Sequence, residues 1–172
     1  MRKVRYAVAV SLDGYIAGPN GEADWITMDP DVDFAAMFDQ FDTFIMGRRT
    51  FEPMVRVNRQ ETPGVKTFVF STTLRQEDYP GVTIIAEGVE ETVAALRQGT
   101  GKDIWLFGGG ALFRSLLDAG LVDTVEVAIM PVLLGEGIQL LPSPAKQAKL
   151  KLTGHKIYKT GIVRLEYSIQ YA

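Results

Sequence analysis

The sequence predicts a single α/β domain built on a mixed, mostly parallel sheet of about eight strands with about four helices. Short apolar runs alternate with segments of helical periodicity over most of the chain, which is typical of parallel strands joined by helices. The last two apolar runs are joined by a tight turn at Lys159-Thr160-Gly161, which indicates an antiparallel hairpin. No linker interrupts the 172 residues, so 1–172 should form one domain.

Eight segments of the chain are predicted to be strands. They are 4–10, 43–46, 66–70, 82–86, 103–107, 122–130, 150–157 and 162–170. The early runs alternate with helices, so they should pair in parallel. The last two should form a C-terminal antiparallel hairpin, which makes the sheet mixed.

Four helices are expected between these strands. Asp29-Pro30 opens the first, because proline suits the first helical position and acidic side chains suit the first turn. The apolar residues that share one face of this helix at helical spacing are Phe34, Met37, Phe38 and Phe41. The other three helices are expected to begin at Arg48 and to span 90–98 and 111–119.

Composition excludes several classes of function. The net charge is −3 and no long run of like charge occurs, so neither nucleic acid nor a membrane surface is an expected partner. No apolar stretch is long enough to span a bilayer, and the first apolar run is better interpreted as a strand than as an export signal, so a cytoplasmic protein is expected. The chain has no cysteine, and its one histidine, His155, lies among polar residues typical of a solvent-facing strand, so no metal site is expected.

Three segments place glycines or hydrogen-bonding side chains at the carboxyl ends of predicted strands, where open α/β sheets bind ligands. They are Gly47-Arg48-Arg49-Thr50, Ser71-Thr72-Thr73 and Gly108-Gly109-Gly110. Two of them lead into a helix, whose N-terminus offers unpaired N–H groups to phosphate, and arginine binds phosphate through forked hydrogen bonds. Each segment alone fits an ordinary turn or helix start equally well. Together they predict a dinucleotide with an extra phosphate, which is NADP rather than NAD.

Four segments of the chain also carry motifs of a known family. Met46-Gly47-Arg48-Arg49-Thr50-Phe51-Glu52 and Phe107-Gly108-Gly109-Gly110 resemble the Gly-Arg-x-Thr-Trp-Glu and Ile-Gly-Gly-Gly motifs of dihydrofolate reductase. Ser11-Leu12-Asp13-Gly14-Tyr15-Ile16-Ala17 and Pro131-Val132-Leu133-Leu134-Gly135-Glu136-Gly137 resemble segments of the riboflavin-biosynthesis reductase branch of the same superfamily. The resemblance covers essentially the whole chain and implies the three-layer dihydrofolate-reductase-like fold.

The resemblance implies an NADPH cofactor. By similarity, the adenosine phosphates would be held after Gly47 by Arg48, Arg49 and Thr50. The adenine ribose would lie along Ser71 and Thr72. The pyrophosphate would be covered, after Phe107, by Gly109, Gly110, Ala111 and Leu112. The nicotinamide carboxamide would be bound at Val8, Ala9 and Ile16. The family also has a cis peptide within its glycine run, expected here at Gly108–Gly109, and the segment 13–25 resembles its mobile loop over the nicotinamide.

The implied chemistry is hydride transfer to an electron-poor carbon of a small heterocyclic substrate. Asp31 stands at the spacing of the family's substrate-side carboxylate, which assists protonation. The alternative is that Asp31 and Asp33 only complement the dipole of the first helix. Trp25, Phe34 and Phe38 would wall the substrate pocket or, alternatively, belong to the core. Trp105 is assigned to packing.

Three functions remain open from the sequence. The first is a stand-alone reductase that resembles 5-amino-6-(5-phosphoribosylamino)uracil reductase and acts on a ribosylated aminopyrimidine or a related heterocycle. The second is a dihydrofolate reductase, which is disfavoured because Glu61 and Ala128 stand where folate enzymes have an arginine and a threonine. The third is a non-catalytic NADP-binding module. The apolar late strands would also allow two copies to pair as a homodimer.

Overall fold

A computed structural model describes residues 1–171. Its strands are β1 (Val4–Ser11), β2 (Tyr15–Ala17), β3 (Phe41–Gly47), β4 (Lys66–Phe70), β5 (Thr83–Ile85), β6 (Asp103–Gly108), β7 (Thr124–Met130), β8 (Ile138–Gln139), β9 (Lys149–Ile157) and β10 (Val163–Gln170). Its helices are α1 (Phe34–Phe38), α2 (Arg48–Arg56), α3 (Val89–Gln98) and α4 (Gly110–Asp118). None of these helices within residues 1–171 is long and apolar enough to cross a membrane.

Eight strands form the main sheet, in the order β5-β4-β3-β6-β1-β7-β10-β9. Every pairing among β1, β3, β4, β5, β6 and β7 is parallel. β10 pairs antiparallel with both β7 and β9, so it alone runs in the reverse direction. The predicted mixed sheet with a C-terminal hairpin is therefore confirmed.

The helices cover both faces of this sheet and complete three layers. On one face, α3 and α4 bury a mainly aliphatic cluster in which the Tyr6 ring stacks on Phe113 with centroids 4.0 Å apart. On the other face, α1 and α2 pack on an aromatic cluster that includes Phe44, Phe51 and Trp105. The cavity described below opens on this second face.

The first helix differs from its prediction. It begins at Phe34 rather than at Asp29-Pro30, and Asp33 is its N-cap, with a carboxylate that accepts a hydrogen bond from the Ala36 N–H at 2.9 Å. The segment 29–32 forms a separate turn, in which the Asp29 carboxylate accepts the Asp31 N–H at 2.8 Å and the Asp29 carbonyl accepts the Val32 N–H at 3.1 Å. Phe41, expected on the face of this helix, is instead the first residue of β3.

A small second sheet, β2 with β8, has no counterpart in the sequence-based prediction. Strands of three and two residues are too short for hydrophobic periodicity to reveal them. Backbone hydrogen bonds extend this contact, from the Leu12 N–H to the Val132 carbonyl and from the Leu140 N–H to the Gly14 carbonyl, both at 2.9 Å. The two segments that carry the riboflavin-branch motifs thus meet over the carboxyl edge of the main sheet.

Candidate functional site

A cavity of about 700 Å³ opens at the carboxyl edge of the sheet, within the usual size range of small-molecule sites. The ends of β1, β3 and β6 form its base, and the first turns of α2 and α4 form one end. The small sheet contributes Ile16, Ala17 and Ile138 to its roof. We call this the main cavity.

Two helix N-termini lie side by side at one end of the main cavity. Gly47 is the N-cap of α2 and Gly109 is the N-cap of α4, and neither helix has a side-chain hydrogen bond at its cap. The two caps are close because Met46 pairs with Gly108 across adjacent strands. Uncapped helix N-termini present backbone N–H groups and a partial positive charge, so this end of the cavity suits phosphate.

The glycine run has a backbone geometry and packing that favour glycine. A Cβ on Gly108 would lie 3.5 Å from Thr50 Oγ1. Gly108 has a φ of 132°, a backbone angle that residues with a side chain rarely adopt. The Gly108–Gly109 peptide is cis, as the resemblance implied. A Cβ on Gly110 would lie 2.5 Å from the Gln139 carbonyl oxygen, so the start of α4 packs directly on the end of β8.

A second, smaller cavity of about 360 Å³ adjoins the end of β4. It is lined by Ser71, Thr72 and Thr73, and Arg48 lines both this cavity and the main one. The Ser71 hydroxyl accepts the N–H groups of Thr73 and Leu74 at 3.2 and 3.1 Å and so holds the turn. Arg48 thus lies between the hydroxyl cluster and the helix N-termini. The three segments 47–50, 71–73 and 108–110, which the sequence analysis identified, therefore lie at adjoining cavities.

The structure brings most of the sequence-predicted residues into these two cavities. Those in the main cavity are Val8, Ala9, Ile16, Phe34, Phe38, Gly47, Arg48, Arg49, Thr50, Phe107, Gly109, Gly110, Ala111 and Leu112. Ser71 and Thr72 line the second cavity. Trp25 and Asp31 line neither: Trp25 packs against the cluster around Tyr158, and Asp31 is exposed on a turn. Glu61 also lies outside both cavities.

Asp29, rather than Asp31, is the carboxylate of this loop that lines the main cavity. It is only 3% exposed, and it accepts hydrogen bonds from the Thr160 hydroxyl at 2.6 Å and from the Asp31 N–H. These bonds, that from the Thr160 hydroxyl first, hold the pKa of Asp29 below its ordinary value. Asp29 therefore stays ionised at neutral pH and ties its loop to the hairpin turn.

The other half of the main cavity is largely apolar. Its floor is Ala7, Ala9 and Ala128, on the adjacent strands β1 and β7. Its walls are Phe34, Met37, Phe38 and Trp105 on one side and Met130, Tyr158 and Ile162 on the other. Trp105, which the sequence assigned to packing, therefore has two roles: its indole N–H donates to the Ala7 carbonyl at 2.9 Å, and its ring forms part of the wall.

Glu126 is a buried acid of the lining that the sequence reasoning missed. Arg5 donates to both of its oxygens, at 2.6 and 2.8 Å, and Arg164 approaches it at 3.5 Å. Burial alone raises the pKa of Glu126, but the hydrogen bonds and charge of Arg5 outweigh burial and leave that pKa below its ordinary value. A glutamate inside an otherwise apolar strand was the signal that could have drawn attention to it.

Asp13 fastens the small sheet over the cavity. Its carboxylate accepts hydrogen bonds from the Ser11 hydroxyl at 2.6 Å and from the N–H groups of Leu134 and Gly135 at 3.0 and 2.7 Å. These bonds lower the pKa of Asp13 from 3.8 to about 2. Because the folded pKa lies below the unfolded one, this group stabilises the fold above the ordinary value, and the contribution disappears as pH falls toward the folded pKa.

Asp13→Asn is therefore expected to lower the unfolding temperature at neutral pH, and this deficit relative to the unaltered protein should shrink between about pH 4 and pH 2. Circular dichroism melts across that range would measure it. Asp24→Asn, at an exposed site, is the matched control and should show no such trend. A deficit for Asp13→Asn that is equally large at both ends of the range would contradict the role given to this carboxylate.

The fold is that of an α/β protein of dihydrofolate-reductase-like architecture. Its main cavity has one end that suits phosphate and one end that is apolar. Residues 2–164 match the RibD C-terminal domain family. The chain therefore belongs to that family, whose members are generally reductases.

Individual proteins are similar to this chain in sequence or in structure. The chain is 35% identical to "Uncharacterized protein YyaP" of Bacillus subtilis (strain 168), over 96% of this chain and 94% of that one. A protein of Shewanella sp. PV-4, provisionally described as a riboflavin biosynthesis protein, has a similar structure with a TM-score of 0.83, 23% identity and coverage of 99% and 100% of the two chains. Dihydrofolate reductase of Enterococcus faecalis, complexed with NADP(H) and RAB-propyl, gives a TM-score of 0.72 at 18% identity, with 98% and 97% covered. These likenesses confirm the dihydrofolate-reductase-like fold.

Proposed function

We propose that this protein is an NADPH-dependent reductase that transfers hydride to a conjugated heterocycle, of the ribosylaminopyrimidine class or a related one. The observation that carries the proposal is the position of Arg48, which lines both the cavity with two uncapped helix N-termini and the cavity with the hydroxyl cluster. A phosphorylated dinucleotide needs contacts of both kinds, for its pyrophosphate and for its phosphorylated ribose.

The residues present fit this cofactor. The first N–H groups of α2 and α4, with Thr50, would bind the pyrophosphate, and Arg48 with Arg49 would bind the phosphate on the adenine ribose. Ser71 and Thr72 would lie along the adenine ribose, with Arg48 at the junction between the two cavities. Val8, Ala9 and Ile16 would hold the carboxamide end. When bound, the cofactor supplies the hydride, and the protein orients both partners and excludes water.

The substrate would occupy the apolar half of the main cavity, above the alanine floor. Phe34, Phe38 and Trp105 would face one side of its ring. Asp29 is ionised and held by three hydrogen bonds, so it acts as a positioning residue that fixes the outer wall rather than as a proton donor. Asp31 contributes to this wall through its backbone N–H.

The test is a comparison of NADPH and NADH binding to the purified protein by isothermal titration calorimetry. We expect NADPH to bind at least tenfold more tightly, because only NADPH carries the ribose phosphate that two arginines can reach. Failure of both nucleotides to bind would contradict the proposal. Equal affinity would remove Arg48 and Arg49 from recognition of the extra phosphate, and tight NADPH binding without oxidation by any heterocycle would favour a binding module.

A further inference from the structure

The two halves of the main cavity differ in how many positive charges they leave open. At the phosphate end, Arg48 has Glu52 at 3.6 Å as its nearest carboxylate, beyond hydrogen-bond range, with 42% of its side chain exposed. Arg49 forms no ion pair within residues 1–171. Two guanidinium groups are thus available at this end, which matches the needs of a phosphorylated dinucleotide.

The substrate half has the shape of a slot for a flat ring. Ala9 and Ala128 are register partners on β1 and β7, and their small side chains leave open space above the sheet. Phe38 and Trp105 form the facing wall with ring centroids 5.1 Å apart. A planar aromatic or conjugated ring can stack in such a slot and exclude water from the apolar walls.

The charged groups of the substrate half already form ion pairs or hydrogen bonds with other residues of the protein. Arg164 is the one cation of its lining among residues 1–171, and it lies 2.7 Å from Glu166 and 3.5 Å from Glu126. Glu126 is held in turn by Arg5, which lies outside the lining. The lining of this half thus holds two carboxylates, those of Asp29 and Glu126, against one guanidinium.

A lysine beside this half is also engaged. The Lys156 ammonium group lies 4.6 Å from the centre of the Tyr158 ring, and its charge acts on Asp29. Lys156 is outside the lining, and Asp29 balances its charge at the cavity wall. A phosphate group that entered the substrate half would therefore find no uncommitted cation in the lining and would lie near two carboxylates. Burying such a charge without a partner is strongly unfavourable.

We infer that the substrate is an uncharged, non-phosphorylated planar heterocycle. This inference rests on the proposed function and specifies its substrate. It separates this protein from a reductase of phosphoribosylated pyrimidines: a ribosylaminopyrimidine is accepted as the nucleoside and rejected as its 5′-phosphate. The selectivity comes from the Arg5–Glu126–Arg164–Glu166 network, which leaves no cation free to bind a phosphate.

The test uses a matched pair of compounds, 5-amino-6-(ribosylamino)uracil and its 5′-phosphate, kept under anaerobic conditions. Their dissociation constants would be measured by calorimetry on the protein saturated with NADP⁺, which cannot donate hydride, so no turnover intervenes. We expect the phosphate ester to bind at least threefold more weakly than the nucleoside. A smaller difference, a preference for the ester, or no binding of the nucleoside would overturn the inference.

A charge-altering variant tests the reason for this selectivity. Glu166→Gln removes the carboxylate that lies closest to Arg164 and leaves the lining unchanged. Arg164 should then be available to a phosphate, so the preference for the nucleoside over its 5′-phosphate should fall at least twofold. Glu91→Gln, on the exposed surface of α3, makes the same change in charge far from the cavity and should leave the preference unaltered. An unchanged preference in Glu166→Gln, or an equal change in both variants, would overturn the electrostatic argument.

The outcomes separate this inference from the proposed function. If NADP⁺ and NADPH bind and the ester is preferred, the reductase proposal stands and the inference fails. If neither nucleotide binds, the reductase proposal fails, and the same pair of compounds measured on the protein alone still tests the charge selectivity of the cavity.

Discussion

Arg48→Ala is expected to weaken NADPH binding about thirtyfold while changing NADH affinity by no more than about twofold. Hydrogen bonds to charged groups contribute about 2 kcal/mol, and each 1.4 kcal/mol corresponds to roughly a tenfold change in affinity. Arg48 reaches both cavities and has no hydrogen-bonded carboxylate partner within residues 1–171, so the charge removed is the one available at their junction. The measurement is calorimetric titration of the variant with each nucleotide.

The control for this experiment is Arg59→Ala. Arg59 is exposed, lies outside both cavities and follows the same helix, so its loss changes the net charge equally without touching the proposed site. NADPH affinity should be retained in this variant. Equal losses of NADPH and NADH affinity in Arg48→Ala would assign Arg48 to the pyrophosphate, which both nucleotides share.

Gly110→Ala is expected to destabilise the protein by about 2–3 kcal/mol, or roughly 5–10 °C in unfolding temperature for a domain of this size. The added Cβ would lie 2.5 Å from the Gln139 carbonyl oxygen and 2.8 Å from Pro142 Cδ. Neither neighbour is the end of a flexible side chain, so the backbone after β8 has to move away from α4. Thermal melts followed by circular dichroism would measure the loss.

Gly47→Ala is the matched control for stability. Gly47 also precedes a helix, but its φ of −84° suits any residue, and the nearest atom to an added Cβ would be the Gly109 nitrogen at 4.0 Å. Its cost should remain below about 1 kcal/mol, the scale of a change at an N-cap. Similar melting temperatures for the two variants would show that the contact between Gly110 and Gln139 is not tight in solution.

The sequence sufficed wherever local pattern and local chemistry decide the structure. Apolar runs located the central strands of the main sheet to within a few residues, because burial on both faces requires continuous apolar side chains. The mostly exposed β9 was located by the tight turn that joins it to β10. The glycines at 47 and 108–110 indicated the phosphate-suited end, because a backbone can approach a ligand only where side chains are small.

Prediction from the sequence failed where a residue far along the chain determines the local structure. Asp29-Pro30 has the local features of a helix start, yet the Thr160 hydroxyl, far along the chain, binds the Asp29 carboxylate and keeps 29–32 as a turn. That shift placed Asp31 on the surface and Asp29 in the lining. Glu126 was missed for a similar reason, since its partners Arg5 and Arg164 come from opposite ends of the chain.

The reversed direction of β10 has a consequence for how this protein and its relatives can diverge. The parallel strands bring their carboxyl ends to the ligand edge, whereas β10 brings its beginning, so Ile162 and Arg164 reach the substrate side directly from the preceding turn. Insertions or replacements in that turn would reshape one wall of the substrate slot and leave the dinucleotide end intact. In the proposed reductase, selectivity for the reducible compound would therefore change between relatives without a change in the source of electrons.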